Sequence, residues 1–137
     1  MMTDCIFCSI VSGDIPSHTV YEDENTIAFL DIFPAAPGHV LVVPKVHNKN
    51  IFDISEETIS KSYVAAKHVA GIIKEKLGNS SVNIIQSNGK DAGQEVFHFH
   101  IHVIPREQND NLVKFWEPKA VNEEELKEVL IRLTGSE

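Results

Sequence analysis

The segment 96–104 constrains the fold more than any other part of the chain, because three histidines alternate in it with apolar residues. Successive side chains of a β-strand point to opposite faces of the sheet, so His98, His100 and His102 are predicted to share one face. The other face is predicted to enter the core through Phe97, Phe99, Ile101 and Val103. We therefore expect a sheet that is packed on one side and carries a row of imidazoles on the other.

Four further strands are predicted from alternating or β-branched runs that stop at turn residues. They cover residues 18–22, 26–31, 39–44 and 81–86. The first two are joined by the turn at 22–25 and form a hairpin. The loop at 89–93, which precedes the histidine strand, is too long for a two-residue hairpin connection.

Three helices are predicted from apolar periodicity and capping residues. A short one covers residues 5–12, and a C-terminal one runs from the N-cap Asn122 to about Leu133. The longest begins after the N-cap Ser55 and ends before Gly78. One stripe of this helix is predicted to be buried: Ile59, Tyr63, Ala66, Ala70, Ile73 and Leu77. Five strands with two main helices indicate an α+β fold, with a mainly antiparallel sheet and the long helix on one face.

Length and charge restrict the function. The 137 residues are enough for one domain, 1–137. The net charge of −8 makes binding to polynucleotides or anionic membranes unfavourable, although one pocket could still neutralise a small phosphate ligand locally. No apolar run reaches the roughly 20 residues of a membrane helix, and the N-terminus lacks the basic start of a signal peptide. We expect a cytoplasmic protein.

The histidine row has three interpretations: a solvated face, a metal site or a catalytic row. Imidazole has an ordinary pKa of about 6.5, so it can act as a nucleophile or as a proton donor near neutral pH. His98 and His102 begin about 13 Å apart along a straight strand, too far for all three to bind one ion at zinc–nitrogen distances of about 2 Å. Different partners for different histidines are therefore expected.

The two cysteines form a Cys5-x-x-Cys8 pair, which could be a metal knuckle or a redox pair. The redox interpretation is weaker, because no strand–turn–helix of the thioredoxin type precedes the pair. Two cysteines supply half of a tetrahedral zinc site, and seven histidines are available for the other half.

The run His98-Phe-His100-Ile-His102-Val-Ile matches a histidine-triad pattern, and motifs elsewhere extend the match. The chain resembles the Hint-like branch of the histidine triad (HIT) family, in particular its bacterial members, over nearly its full length. The supporting motifs are Cys5-Ile-Phe-Cys8, Gly13-Asp-Ile-Pro16, Ala28-Phe-Leu-Asp31, Gly38-His39-Val-Leu-Val-Val-Pro-Lys45, Asn88-Gly and Gly93-Gln94.

The resemblance implies a single HIT domain, usually in a two-fold homodimer, that binds a purine nucleoside monophosphate and cuts or transfers at its α-phosphate. A nucleoside phosphoramidase-like enzyme is expected first. A dinucleoside polyphosphate hydrolase and a non-catalytic nucleotide-binding regulatory module are the alternatives. The tail from residue 106 to 137, with Trp116, is expected to influence the choice of leaving group.

Site residues also follow from the resemblance. His100 would be the nucleophile that forms a nucleotidyl-histidine, and His102 and His39 would orient it and manage protons. Asp31 would bind the ribose hydroxyls. Phosphate or leaving-group oxygens would meet the loop residues Asn88, Gly93, Gln94 and Glu95, the last of these replacing a serine that is frequent outside the bacterial group. The base slot would be formed by Ile6, Phe7, Ile10, Ile15 and Phe29.

The resemblance further implies a structural zinc ion. Several relatives complete the cysteine pair with a histidine after the Pro-Lys strand and with the first triad histidine. In this chain the expected ligands are Cys5, Cys8, His47 and His98. His18 and His68 are left as surface residues.

Overall fold

A five-stranded antiparallel sheet organises the part of the chain that the computed structural model describes, residues 4–112 and 118–135. The α+β prediction is confirmed. In chain order the elements are α1 (Ile6–Ser12), β1 (Thr19–Glu22), β2 (Thr26–Leu30), β3 (Val40–Pro44), α2 (Glu56–Leu77), β4 (Ser81–Ile85), β5 (Ile101–Arg106) and α3 (Glu123–Thr134). A turn of 3₁₀-helix, Lys90–Ala92, precedes β5.

The strand order β1-β2-β3-β5-β4 places the last histidine of the row inside the sheet. On β5, His102 pairs with Leu41 of β3 on one side and with Ile85 of β4 on the other. Directly paired residues of antiparallel strands project from the same face. His102 and Leu41 therefore mark one face of the sheet.

The two faces of the sheet are covered by different helices. Alternate residues of β2 and β3 pack with α2 on one face, where Ala28 and Val42 are fully buried. On the opposite face, Phe29 and Leu41 pack with Phe7 of α1. Because both faces of β2 and β3 are covered, the two strands are apolar at every position except the buried Thr26. The histidine row lies on the α1 face.

The long helix begins and ends as predicted, but its buried stripe differs in part from the prediction. Ala66 and Ile73 are buried as expected, and Ile59 and Ala70 are partly buried against the same core. Ser55 caps it by accepting a hydrogen bond from the Thr58 N–H (3.1 Å), and Gly78 ends it. Tyr63 and Leu77 are exposed to 41% and 56%, so their predicted burial is wrong. The buried stripe consists of Ser62, Ala65, Ala66, Val69 and Ile73.

Side-chain size explains the different stripe. Small residues let the helix axis approach the sheet closely, whereas a stripe through Tyr63 would hold it away. Ser62 can be buried because its hydroxyl donates a hydrogen bond to the carbonyl of Thr58 (2.8 Å). Apolar spacing alone does not detect a serine in the core.

The predicted strand 96–104 is shorter than expected, since β5 begins only at Ile101. Upstream, the Phe99 N–H donates to the carbonyl of Asn48 (2.7 Å), so this stretch pairs with the loop after β3. Phe97 was expected in the core but is 40% exposed, with the Lys49 ammonium 5.4 Å from its ring centroid. Phe99 is fully buried as expected.

The C-terminal helix α3 begins after the predicted N-cap, where the Asn122 side chain accepts from the Glu125 N–H (2.8 Å). None of its residues is buried within this chain. Trp116 lies outside the described residues. Among those described, no helix has both the length and the apolarity needed to cross a membrane.

Gly38, just before β3, lies very close to the side chains of Leu77 and Pro105, and a substitution can test this close approach. It has φ +90°, and an added Cβ would lie 2.5 Å from Leu77 Cδ1 and 3.2 Å from Pro105 Cγ. We expect Gly38→Ala to lower the free energy of unfolding by about 1–3 kcal/mol, through the left-handed backbone and the forced shift of Leu77. Urea denaturation measures this change.

Gly71 provides the control, because it lies inside α2 and an added Cβ meets nothing within 4 Å. Gly71→Ala is expected to raise the free energy of unfolding by about 0.5–1 kcal/mol. Equal effects of the two substitutions would contradict the close approach at Gly38.

Candidate functional site

A cavity of about 490 Å³ opens on the α1 face of the sheet, and we call it the histidine cavity. His100 and His102 line it together with Asp31. The five residues expected in the base slot also line it: Ile6, Phe7, Ile10, Ile15 and Phe29. The structure therefore brings an apolar surface, a carboxylate and two imidazoles of the row into one cavity.

Phe7 joins the apolar part of this cavity to the histidine row. Its ring packs edge-on against Phe29, with 5.6 Å between ring centroids, and against His100 at 5.1 Å. Phe7 and Phe29 are both buried, so the wall that they form belongs to the core as well as to the cavity. A flat aromatic ligand placed there would meet rigid apolar surface.

The hydrogen bond of His100 determines which of its ring nitrogens is available. His100 Nδ1 lies 2.7 Å from the carbonyl oxygen of His98, and only an N–H group can donate to a carbonyl. The proton therefore sits on Nδ1, and Nε2 keeps its lone pair. Burial lowers the pKa of His100, although the His98 carbonyl and the charge of Asp31 partly oppose the shift. The neutral ring is a nucleophile at neutral pH.

His39 and His102 form a second ordered pair. The Ala35 N–H donates to His39 Nδ1 (3.0 Å), so the proton of His39 is on Nε2, which donates to His102 Nδ1 (2.9 Å). His102 consequently carries its own proton on Nε2. Burial, followed by the charges of His100 and His39, lowers the pKa of His102 to about 4. The pair holds one N–H donor in a fixed orientation beside His100.

His39 is buried and does not line the histidine cavity, so its link to the cavity is its hydrogen bond to His102. Burial lowers its pKa, while the carboxylate of Asp31, 3.7 Å from its Nε2, acts in the opposite direction. These three side chains lie close enough to hold an ion. However, the hydrogen bonds leave His39 no lone pair for a metal, since Nδ1 accepts from Ala35 and Nε2 carries the proton.

Asp31 lies where β2 has ended, and its two carboxylate oxygens face different partners. Oδ1 accepts from the Phe33 N–H (2.8 Å), while Oδ2 is the oxygen nearest to His39. This arrangement fixes the side chain at the edge of the cavity. A carboxylate held in this way can accept hydrogen bonds from the hydroxyls of a sugar.

The loop before β5 divides into residues that line the cavity and residues that shape the loop. Gly93 and Glu95 line the histidine cavity, whereas Asn88 and Gln94 do not. Gln94 is buried: its carbonyl accepts from the Gly89 N–H (2.8 Å) and its amide donates to the carbonyls of Lys49 (2.8 Å) and Val96 (3.1 Å). Its polar atoms are thus occupied within the protein.

Asn88 has a similar internal role, since its side-chain oxygen accepts from the Ile51 N–H (2.7 Å). It also exchanges hydrogen bonds with the side chain of Gln86 (2.6 and 2.7 Å). Asn88 and Gln94 therefore support the loop, and the surface that the loop presents to the cavity comes from Gly93 and Glu95.

The four residues expected to bind zinc lie together. The ligand atoms of Cys5, Cys8, His47 and His98 are all within 4.8 Å of one another. His98 Nε2 lies 2.8 Å from the carbonyl of Pro44, so it carries the proton and Nδ1 has the lone pair. That Nδ1 faces His47 Nδ1 at 3.1 Å and the Cys5 sulfur at 3.3 Å. Two sulfurs and two imidazole nitrogens are a donor set that suits a tetrahedral metal such as zinc.

Some cavity residues were not identified from the sequence. His18, expected on the surface, is exposed but lines the histidine cavity, and so do Ile32 and the 86% exposed Phe33. No local pattern marks them, because they reach the cavity only through the pairing of β1 with β2.

A second cavity of about 660 Å³, which we call the cysteine cavity, adjoins the first and contains Asp4, Glu95 and Phe97 in its lining.

Comparison with known proteins agrees with this geometry. A family model described as HIT domain matches residues 12–109. "Protein hit" of Bacillus subtilis is 42% identical over 118 residues, which cover 85% of this chain and 81% of that protein. The adenosine 5'-monophosphoramidase HNT1 of Saccharomyces cerevisiae is 38% identical over 138 residues, with 97% and 85% covered. The adenylylsulfatase HINT3 of Arabidopsis thaliana is 32% identical over 127 residues, with 93% and 63% covered.

Solved structures show the same fold. A HIT family protein from Bacillus subtilis superposes with a TM-score of 0.90 at 37% identity, covering 97% of this chain and 96% of that one. A zinc-bound histidine triad family protein from Mycobacterium smegmatis superposes with a TM-score of 0.78 at 39% identity, covering 98% of each chain. That relative binds zinc, and the Cys/His cluster of this chain could hold a metal ion.

Proposed function

The chain belongs to the HIT domain family, and from that premise we propose that it is a purine nucleoside phosphoramidase that acts at the α-phosphate through a nucleotidyl-histidine. Relatives named adenosine 5'-monophosphoramidase and adenylylsulfatase support hydrolase activity on an adenosine monophosphate derivative. The observation that carries the proposal is the tautomer of His100, whose Nε2 lone pair is available beside an apolar cavity.

Substrate binding follows from what lines the histidine cavity. The purine base would occupy the apolar part between α1 and β2, where Phe7 and Phe29 form a rigid wall. The ribose hydroxyls would donate to Asp31, and the α-phosphate would lie between His100 and the backbone at Gly93. This placement brings the phosphorus within reach of the His100 lone pair.

The reaction would proceed in two displacements. His100 Nε2 attacks phosphorus, the phosphorus–nitrogen bond to the leaving amine breaks, and the amine takes a proton from solvent. The neutral His102, whose ring centroid lies 5.0 Å from that of His100, keeps its proton and directs its Nε2–H as a hydrogen-bond donor toward the reacting phosphate. Water then attacks the nucleotidyl-imidazole, which returns a proton to solvent, releases the nucleoside monophosphate and restores the lone pair of His100.

His100→Ala tests the mechanism with adenosine 5'-phosphoramidate as substrate. We expect turnover to fall by more than the roughly 10²- to 10⁴-fold that loss of an acid–base group costs, because His100 Nε2 is the proposed nucleophile and the Nε2 of the neighbouring His102 carries a proton. Binding of the nucleoside monophosphate, measured by calorimetry, should change only a few-fold. Quenching the wild-type reaction should trap an adenylyl group on His100, detectable by mass spectrometry.

The exposed His68, which stacks on Tyr21 away from the cavity, provides the control. His68→Ala should retain wild-type turnover. Near-normal turnover by His100→Ala, or an adenylyl group on another residue, would refute the mechanism. A wild-type protein that binds the nucleotide but turns nothing over would indicate the regulatory module instead.

We also propose that Cys5, Cys8, His47 and His98 hold a structural zinc ion. Two thiolates and two neutral imidazoles complete a four-coordinate site, which leaves no position for a substrate. The ion would link the start of α1 to the segment that leads into β5. It would therefore stabilise the fold around the cavity without taking part in the reaction.

Cys8→Ser tests the zinc proposal. Wild-type protein purified without added metal should contain about one zinc per chain, and the variant should have lost most of it. The melting temperature of the variant should fall, by about 3–5 °C for each kcal/mol of stability lost. Ser9→Ala, a change on the same helix outside the cluster, should alter neither the metal content nor the melting temperature. Metal-free wild-type protein as stable as the variant would count against the site.

A two-fold homodimer is the assembly that we propose, in keeping with the family. The chain offers apolar side chains for the dimer interface on one side of α2, where Tyr63 and Val64 are exposed, and on the edge strand β4, where Ile84 is exposed.

Light scattering should give a mass near 30.6 kDa, twice 15.3 kDa. Replacing Val64 and Ile84 together by lysine should shift the mass toward one chain, whereas Asp14→Lys, an exposed charge change after α1 on the opposite face of the sheet, should not. A wild-type mass of 15.3 kDa would rule the dimer out.

A further inference from the structure

Glu95 is the residue where the two cavities meet. The histidine cavity and the cysteine cavity share three lining residues, Ile6, Val96 and Glu95, and of these only Glu95 is charged. Its side chain is exposed, and the described part of the chain forms no ion pair with it. Glu95 therefore borders both cavities without an ion-pair partner among the described residues.

Among the described residues, neither cavity is lined by the lysine or arginine that usually accompanies phosphate. The proposed zinc ion adds no net charge, because the thiolates of Cys5 and Cys8 would balance its two positive charges. The Lys49 ammonium lies over the ring of Phe97, which lines the cysteine cavity, at 5.4 Å from the ring centroid. A substrate phosphate would thus share the histidine cavity with the carboxylates of Asp31 and Glu95.

The two carboxylates differ in what they can do for a substrate. Asp31 is held by the Phe33 N–H and has sugar hydroxyls as natural partners. Glu95 comes two residues after Gly93 and lines both cavities. With the α-phosphate at Gly93, as proposed above, a leaving group that extends past Glu95 would enter the cysteine cavity.

We propose that Glu95 selects phosphoramidates whose leaving amine carries a second, positively charged nitrogen, and that the cysteine cavity receives this cationic tail. The inference rests on the proposed function, because it concerns the same α-phosphate. An ammonium group beside Glu95 gains Coulomb energy and offsets the repulsion between the carboxylate and the phosphate. A polyphosphate leaving group would instead bring more negative charge to a wall without lysine or arginine. The negative charge of Glu95 thus favours phosphoramidates over dinucleoside polyphosphates as substrates.

Three synthetic substrates separate charge from shape. Each is an adenosine 5'-phosphoramidate, and the leaving amines are 1,2-diaminoethane with an ammonium tail, propylamine with a neutral tail and β-alanine with a carboxylate tail. The zinc-loaded wild-type protein should prefer the cationic over the neutral substrate in kcat/KM by about two- to fivefold, the range given by exposed ion pairs. The anionic substrate should be poorer again by a similar factor. Added salt should reduce both ratios.

Variants at position 95 then test the residue itself. Glu95→Gln should bring both ratios close to one, and Glu95→Lys should reverse their order. Asp91→Asn is the matched control, because Asp91 is an exposed carboxylate in the same loop but lines neither cavity. It should keep the wild-type ratios. Ratios within one protein are compared, so a change in stability or in overall rate does not affect the result.

The outcomes separate this inference from the function on which it rests. Turnover of all three substrates with equal kcat/KM by the wild type, or unchanged ratios in Glu95→Gln, would overturn the role of Glu95 and leave the phosphoramidase intact. Turnover of none of them would overturn both. If the order of kcat/KM among the three substrates disappears in Glu95→Gln and is kept in Asp91→Asn, the role of Glu95 in substrate selection is established.

Discussion

His98 is the residue on which the rest of the site depends, because its side chain and its backbone serve three parts of the molecule. Its Nε2–H is bonded to the carbonyl of Pro44 at the end of β3, and its Nδ1 faces the cysteines of the α1 segment. Its carbonyl oxygen accepts the Nδ1–H of His100. One residue therefore positions the start of α1, the end of β3 and the lone pair of the proposed nucleophile.

The histidines can lie this close together because they are neutral. His100 and His102 have ring centroids 5.0 Å apart, and two positive charges at that distance in a poorly hydrated place would repel strongly. Burial is the first cause of the lowered pKa at both rings, so the environment that packs them also removes their charge. Each proton position is then decided by a hydrogen bond to a backbone group or to another ring. The row is ordered by the direction of its hydrogen bonds.

Capping and turn residues in the sequence predicted the ends of the helices and the first hairpin well. The caps of α2 and α3 and the hairpin of β1 and β2 depend on residues a few positions apart, and they were placed within one or two residues. The family resemblance brought Cys5, Cys8, His47 and His98 together, which spacing alone could not do, because Cys8 and His47 are 39 positions apart.

The differences between the predicted and the observed structure are caused by contacts between residues far apart in the sequence. The start of β5 moved to Ile101 because the chain before it pairs with Asn48, a contact that no local pattern announces. The buried stripe of α2 depends on how closely the helix can approach the sheet, and this favours Ser62 over Tyr63. Phe33 and His18 reach the cavity only after β1 and β2 have paired. In each case the deciding partner lies on another element.

The wall of the histidine cavity combines two kinds of residue, and this has a consequence for how such a site can diverge. Phe7 and Phe29 are buried to more than nine-tenths and belong to the core, so exchanging them would disturb the packing between α1 and the sheet. Ile6 and Ile15 line the same cavity but are 47% and 38% exposed. Mutations of Ile6 and Ile15 can therefore change the shape of the cavity with little loss of packing. We expect ligand preference to diverge between relatives through such exposed lining residues, while the aromatic wall of Phe7 and Phe29 is retained.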